Sequence, residues 1–213
     1  MSEDLKRYLV EFIGTFFLVF TIGATAVFGG PGVIAPLAIG FVLMVMVYAG
    51  GYISGGHYNP AVSLAAVVRG ALSAKEWFFY AVFQILGGVV AALVINFMAG
   101  EPMNGTFIPY DFANLVIAEF LFTFALCYVV LLTATSKKTE GNSYYGLAIG
   151  STVMVGAFAV GSICLGAFNP AVAISTIVLG SVCCAKVAWL TVLVNLIAGA
   201  CAGVIYKAVN EAE

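Results

Sequence analysis

The chain has 213 residues, of which 63% are hydrophobic and 8% charged, with 24 glycines and a formal net charge of −2. Soluble domains carry roughly 25% charged residues, so this composition cannot clothe a water-facing surface and excludes a soluble globular protein. The small net charge says little about partners, because its distribution matters more than its sum.

Apolar stretches of about 20 residues, long enough to cross a bilayer, are predicted near 8–28, 33–53, 77–99, 112–134, 144–165 and 187–206. The first, containing "EFIGTFFLVF", is expected to be a span rather than a cleaved leader. Its apolar run is long, Glu11 lies inside it, and no convincing small-residue cleavage site follows. Between the second and third spans the chain changes character at "SGGHYNPAV", followed by a short apolar run near 62–68. The third span carries "GGVVAA" (87–92), and the Gly-, Pro- and Asn-rich stretch 100–111 reads as an outer connection between halves. The fourth span contains "EFLFTFALCY", and after the fifth comes "LGAFNPAVAI" (165–174) with another short apolar run, 172–183. The last span contains "AGACAG" (198–203). The loops leave no room for a soluble domain.

With six spans and the N-terminus inside, Lys6, Arg7, Arg69, Lys75, Lys137, Lys138 and Lys207 fall on the cytoplasmic side and only Lys186 outside. That positive-inside bias supports the count of six and predicts both termini in the cytoplasm. The protein is expected to be an integral, multi-pass protein of a plasma or inner membrane, surrounded by membrane lipids and without a nucleic-acid partner.

The two halves, about 8–99 and 112–208, repeat one another within a single membrane domain spanning 1–213. Glu11 matches Glu119, Asn59-Pro60-Ala61 matches Asn169-Pro170-Ala171, and "GGVVAA" falls near the place of "AGACAG", with offsets of 108, 110 and 111. Three spans per half is an odd number, so the second copy enters the membrane from the opposite side, giving an inverted repeat. Gly87, Gly88, Gly199 and Gly203 are expected to let helices approach closely. The runs after each Asn-Pro-Ala are too short to cross and suggest re-entrant segments or buried core helices. Asn caps a helix and Pro suits its first position. Each motif is therefore predicted to start a half-helix, so that two N-termini with their partial positive charge meet near the midplane.

These residues resemble the aquaporin, or major intrinsic protein, family over nearly the whole chain: two Asn-Pro-Ala boxes, the "SGGHYNPAV" context, and a Glu in the first and fourth spans. The resemblance implies an all-α membrane protein with six transmembrane helices and two re-entrant half-helices, a passive channel in each subunit and a homotetramer; for want of a nucleophile–base set or cofactor motif, neither enzymatic activity nor a cofactor is expected. The resemblance makes Asn59 and Asn169 side-chain donors to a single file of water or solute, and makes Glu11 and Glu119 braces for the re-entrant loops. An intramembrane carboxylate is otherwise a functional candidate by default, with a proton relay as the competing role, although no cationic or His partner is available at matching depth. His57, the sole histidine, resembles the family's His beside the first box, lining the channel or bonding locally. A pH gate through it is the competing reading, since imidazole titrates near neutrality.

No metal site is expected from one histidine and five cysteines (127, 164, 183, 184 and 201), most of which read as apolar packing. Cys164, in the loop before the second box, is the candidate target for thiol reagents.

The family usually continues its second box with Arg, and here Val172 stands in that place. By the family's spacing, the other filter positions fall on Ile39, Ala157 and Gly166, without the aromatic residue and His of ordinary water-selective members. The expected filter is wide, apolar and uncharged. The Asp that glycerol facilitators typically place after the filter Arg is Ala173 here. The expected function is a channel for water and small uncharged solutes such as glycerol, urea or hydrogen peroxide. An ion-coupled secondary transporter, or a structural protein whose apolar filter is closed by dewetting, are the alternatives.

Overall fold

The computed structural model describes residues 1–29, 32–102, 111–181 and 185–210. Among these, eight α-helices form: α1 (Glu3–Val27), α2 (Ala35–Ser54), α3 (Pro60–Arg69), α4 (Ala74–Ala99), α5 (Phe112–Val130), α6 (Tyr145–Val160), α7 (Pro170–Leu179) and α8 (Ala185–Val209). Five of the spans have the length and apolarity to cross a membrane. α6 is shorter than its predicted 144–165: its 16 residues reach about 24 Å at 1.5 Å per residue. It stops because the chain tightens into a turn at Gly161–Ser162, where the Ile163 and Cys164 N–H groups both return to the Val160 carbonyl.

Local chemistry sets most ends. α1 begins five residues earlier than the apolar run because Ser2 caps it, accepting from the Leu5 N–H at 3.3 Å. α4 starts in a reciprocal capping box between Ser73 and Glu76, and Asp111 caps α5. The two short helices each start at an Asn cap followed by Pro, and end at Gly70 and Gly180 in the left-handed conformation. Ten residues apiece make them about 15 Å long, too short to span. The second ends four residues before the predicted 183. Most of the predicted outer connection, from 103 to 110, and Cys183 and Cys184 lie outside the described residues.

The fourth span departs from a plain helix. After Val130 it continues as a π-helical segment, Leu131–Thr135. Thr133 and Thr135 turn their hydroxyls back to the carbonyls of Val129 and Leu131, 2.7 Å in each case, a habit that bends helices. The Thr135 carbonyl in turn accepts from the Arg69 guanidinium at 2.5 Å.

Packing is close where glycines meet backbone. A Cβ on Gly40 of α2 would lie 2.7 Å from the Gly150 carbonyl oxygen, and one on Gly150 of α6 would lie 2.4 Å from that of Gly40. Gly87 and Gly88 of α4 sit against the Phe12 carbonyl and the Ser175 hydroxyl; Gly199 and Gly203 of α8 sit against α3, where a Cβ would meet the Ala61 and Ala65 carbonyls at 2.4 and 2.9 Å. The four glycines singled out in the sequence are thus the places where α1, α3 and α7 nest on α4 and α8. Van der Waals contact and small residues are the main source of helix association in lipid, so a methyl group at these points would push whole helices apart.

Candidate functional site

The segments leading into α3 and α7 run at membrane depth without helical hydrogen bonds, so their backbone groups need other partners. Glu11 of α1 supplies them for the first. Its Oε1 accepts from the His57 N–H at 3.0 Å and the Ser54 hydroxyl at 2.7 Å; its Oε2 accepts from the Tyr58 N–H at 2.6 Å and Gln84 Nε2 at 2.8 Å. Glu119 of α5 does the same for the second, with Oε1 accepting from Ala167 N–H at 3.0 Å and Oε2 from Phe168 N–H at 2.9 Å. Both carboxylates are fully buried. Asn195 of α8, its amide oriented to suit its neighbours, donates to Glu119 Oε2 at 3.2 Å and accepts the Asn169 backbone N–H at 2.9 Å. Each carboxylate thus accepts two backbone N–H groups of the loop it faces.

These bonds hold an unfavourable backbone. Tyr58 and Phe168, each immediately before an Asn-Pro-Ala box, have φ of 49° and 48°. Non-glycine residues in such sparsely populated regions cost on the order of 1–3 kcal/mol each. Hydrogen bonds to charged groups contribute about 1.5–3 kcal/mol each, so two per loop are enough to offset the strain. The twist aims the Tyr58 and Phe168 carbonyls at the opposite box. Asn169 Nδ2 donates to the Tyr58 oxygen and Asn59 Nδ2 to the Phe168 oxygen, both at 2.8 Å. Each Asn Oδ1 caps its own helix, on Ala61 N–H and Ala171 N–H at 2.9 Å. The half-helices are thus locked N-terminus to N-terminus.

A cavity of about 170 Å³ runs past this junction. It is large enough for several waters. Asn59, Asn169 and His57 line it, as do all four expected filter residues, Ile39, Ala157, Gly166 and Val172. His57 both faces the cavity and bonds locally, its Nδ1 lying 3.0 Å from the Ser63 hydroxyl. With one Nδ2 hydrogen of each Asn spent on a carbonyl, one remains for the cavity.

Cys164 corrects the expectation of a thiol target. It is buried at 1% exposure, accepts the Gly166 N–H and donates to the Val160 carbonyl, both at 3.2 Å. A loop before a half-helix folds into the protein rather than over its surface. Cys127 is buried too. Among the described residues no three His, Cys, Asp or Glu side chains gather into a group that would hold a metal ion.

Several contributors were missed in the sequence. Ser54, Ser63, Gln84 and Asn195 complete the braces, and Leu18, Ile22, Leu126, Val130, Leu43 and Val153 line the cavity. The repeat itself carries the signal for them. Offsets of 108 to 111 relate Gln84 to Asn195, Ser54 to Cys164, Leu18 to Leu126, Ile22 to Val130, Ile39 to Ile149, Leu43 to Val153 and Val62 to Val172. Val172 is therefore the counterpart of Val62, and both line the cavity.

Fold and site define a multi-pass, all-helical membrane protein in which two capped half-helices meet beside a mostly apolar cavity. The family model described as "Major intrinsic protein" matches residues 1–206, and the chain belongs to that family. Aquaporin NIP1-4 of Oryza sativa subsp. japonica is 34% identical over 207 residues, covering 93% of this chain and 74% of that protein. Glycerol uptake facilitator protein-like 6 of Lactiplantibacillus plantarum is 36% identical over 175 residues, covering 78% and 81%. Aquaporin TIP2-3 of Arabidopsis thaliana is 34% identical over 220 residues, covering 96% and 87%. Among solved structures, the aquaglyceroporin from Plasmodium falciparum superposes with a TM-score of 0.77 at 19% identity, covering 96% of each chain; this likeness concerns the fold.

Proposed function

We propose that this chain is a passive transmembrane channel for water and small uncharged solutes, with Asn59 and Asn169 as its central donors and Ile39, Ala157, Gly166 and Val172 as its outer filter. The observation that carries the reading is that both Asn side chains and all four filter residues line one cavity at the meeting point of the half-helices. Two helix N-termini and two amide donors oppose cations there. A filter with no charged side chain discriminates by size and by the wetting of its wall, which suits neutral molecules. The relatives named as aquaporins and as a glycerol uptake facilitator fit this reading.

The matched braces, caps and offsets support an inverted repeat within one membrane domain of 1–213. Seven of eight basic residues on one side support cytoplasmic termini, and the family resemblance supports a homotetramer. An ion-coupled transporter would need a coupling-ion site and alternating access, and the two carboxylates within the spans, Glu11 and Glu119, are occupied as backbone acceptors.

Stopped-flow light scattering on proteoliposomes tests the channel. Shrinkage in an impermeant sugar gradient faster than that of empty vesicles, followed by re-swelling in glycerol, is the expected result. Shrinkage no faster than lipid alone, from folded protein, would leave the dry-filter, structural reading. Uphill uptake driven by an ion gradient would replace the channel with a transporter.

A further inference from the structure

We propose that Thr176, one helical turn beyond Val172 on α7, is a specificity-determining residue that accepts a hydrogen bond from small neutral donors such as polyols and urea as they pass the apolar filter. The proposal rests on the channel reading above and adds a residue to it. Val172 and Thr176 both line the cavity, as their i, i+4 spacing on one helix face requires.

The bonding of Thr176 decides what it offers. Its hydroxyl hydrogen goes to the Ala173 carbonyl at 2.7 Å, which leaves the oxygen's lone pairs. Asn59 and Asn169 are placed the opposite way: each Oδ1 is consumed by its own cap, and the free valence is an N–H. Tyr58 spends its hydroxyl on the Met46 carbonyl at 2.8 Å. Among the described lining residues on the filter side of the Asn pair, Thr176 is the one hydroxyl; Leu18, Ile22, Ile39, Ala157 and Val172 present hydrocarbon. The corresponding residue of the first half, 110 positions earlier, is Ala66, so the hydroxyl belongs to the outer half alone.

Four residues separate Val172 from Thr176, about 6 Å along the axis. A solute longer than one water reaches both levels at once. It rests its carbon skeleton on the filter wall and directs an O–H or N–H to Thr176. Water in single file keeps its neighbours as hydrogen-bond partners and does not depend on the residue.

The test uses the purified full chain in proteoliposomes, with glycerol, urea and water permeability measured for the parent, Thr176→Val and Thr176→Ser. Val keeps the volume and removes the acceptor. Loss of one such bond predicts glycerol and urea permeability about three- to tenfold lower in Thr176→Val, with water within about twofold of the parent, and recovery of both solutes in Thr176→Ser. Glycerol and urea at parental rates in Thr176→Val would overturn the proposal, as would a fall in water permeability of the same proportion, or no recovery with Ser. A parent that passes neither water nor solute would remove the channel reading itself, and this proposal with it.

Discussion

The loop before α3 and the loop before α7 reach the same shape with different partners. Both place a non-glycine residue at φ near 50°, both hang two N–H groups on a buried carboxylate, and both give an Asn amide to the other. Around Glu11 the supporting donors are a hydroxyl, Ser54, and the Gln84 amide. Around Glu119 they are the Asn195 amide and Cys164, whose thiol bonds back to the Val160 carbonyl with Glu119 also in reach. The first loop is further tied to the rim of its helices, because the Tyr80 hydroxyl donates to the Ser54 carbonyl at 2.6 Å and accepts from Arg7 Nε at 3.0 Å, while Arg7 also pairs with Glu76. The corresponding position to Arg7 in the second half is Leu115. What both halves keep is the carboxylate, the twist and the cap; what varies is the outer ring of donors. The difference teaches that aiming the two carbonyls is the constraint, and that the carboxylate does it.

Removing a carboxylate is the largest break. Glu11→Ala leaves two buried N–H groups, the Ser54 hydroxyl and the Gln84 amide without their acceptor, at about 1–3 kcal/mol for each orphaned group. The expected outcome is a large fall in unfolding midpoint in detergent, with partial aggregation on size-exclusion chromatography. Glu119→Ala strands fewer strong donors, and is expected to destabilise by less, measured as a higher unfolding midpoint than Glu11→Ala. Equal midpoints would show that the outer ring of donors contributes nothing.

Next comes the junction, where the halves are alike. Asn59→Asp and Asn169→Asp each replace a donor to the facing carbonyl with a negative charge, and each is expected to admit cations. Planar-bilayer recording should find conductance in both, of similar size. Nil conductance in either would show that the Asn pair is not the central barrier.

The pore wall separates the halves again. Val62 and Val172 are counterparts, but only Val172 is proposed for the filter. Val172→Arg introduces a long cation into an apolar constriction and is expected to lower glycerol flux at least about tenfold, a change of 1.4 kcal/mol or more in barrier height. Unchanged solute selectivity would take Val172 out of the filter.

How much of this was legible follows from which physics leaves a pattern. Spans declare themselves by composition, and Asn-Pro-Ala twice at an offset of 110 declares two half-helices, since capping chemistry is local in sequence. Glu11 and Glu119 stand out because a carboxylate in lipid has to be explained. Gln84 and Asn195 stand out only through their shared place in the repeat, because a lone amide in a span looks the same whether it serves a brace or packs beside one. The π-helical segment at Leu131–Thr135 receives Arg69 from another helix at its Thr135 carbonyl, a contact that no local pattern announces. Cys164 was misjudged for a related reason: loop sequence suggests exposure, but a re-entrant loop is interior.

The mildest change sharpens the comparison at one atom. Cys164→Ser gives the second loop the side chain that the first already has at Ser54. The Ser54 hydroxyl accepts the Gly56 N–H at 3.1 Å and donates to Glu11 at 2.7 Å; the Cys164 sulfur accepts the Gly166 N–H at 3.2 Å. A hydroxyl is the stronger donor and the Glu119 carboxylate is within reach, so Ser at 164 can complete the first loop's pattern in the second. The expected result is a protein that conducts water like the parent and is more stable by up to about 1 kcal/mol, the worth of one improved hydrogen bond. The reverse exchange, Ser54→Cys, is expected to lower stability by a similar amount, because it weakens a donor that Glu11 already uses. Unfolding midpoints for both variants decide it. If both exchanges destabilise equally, each loop is fitted to its own side chain and the two halves are less interchangeable than their shared backbone implies.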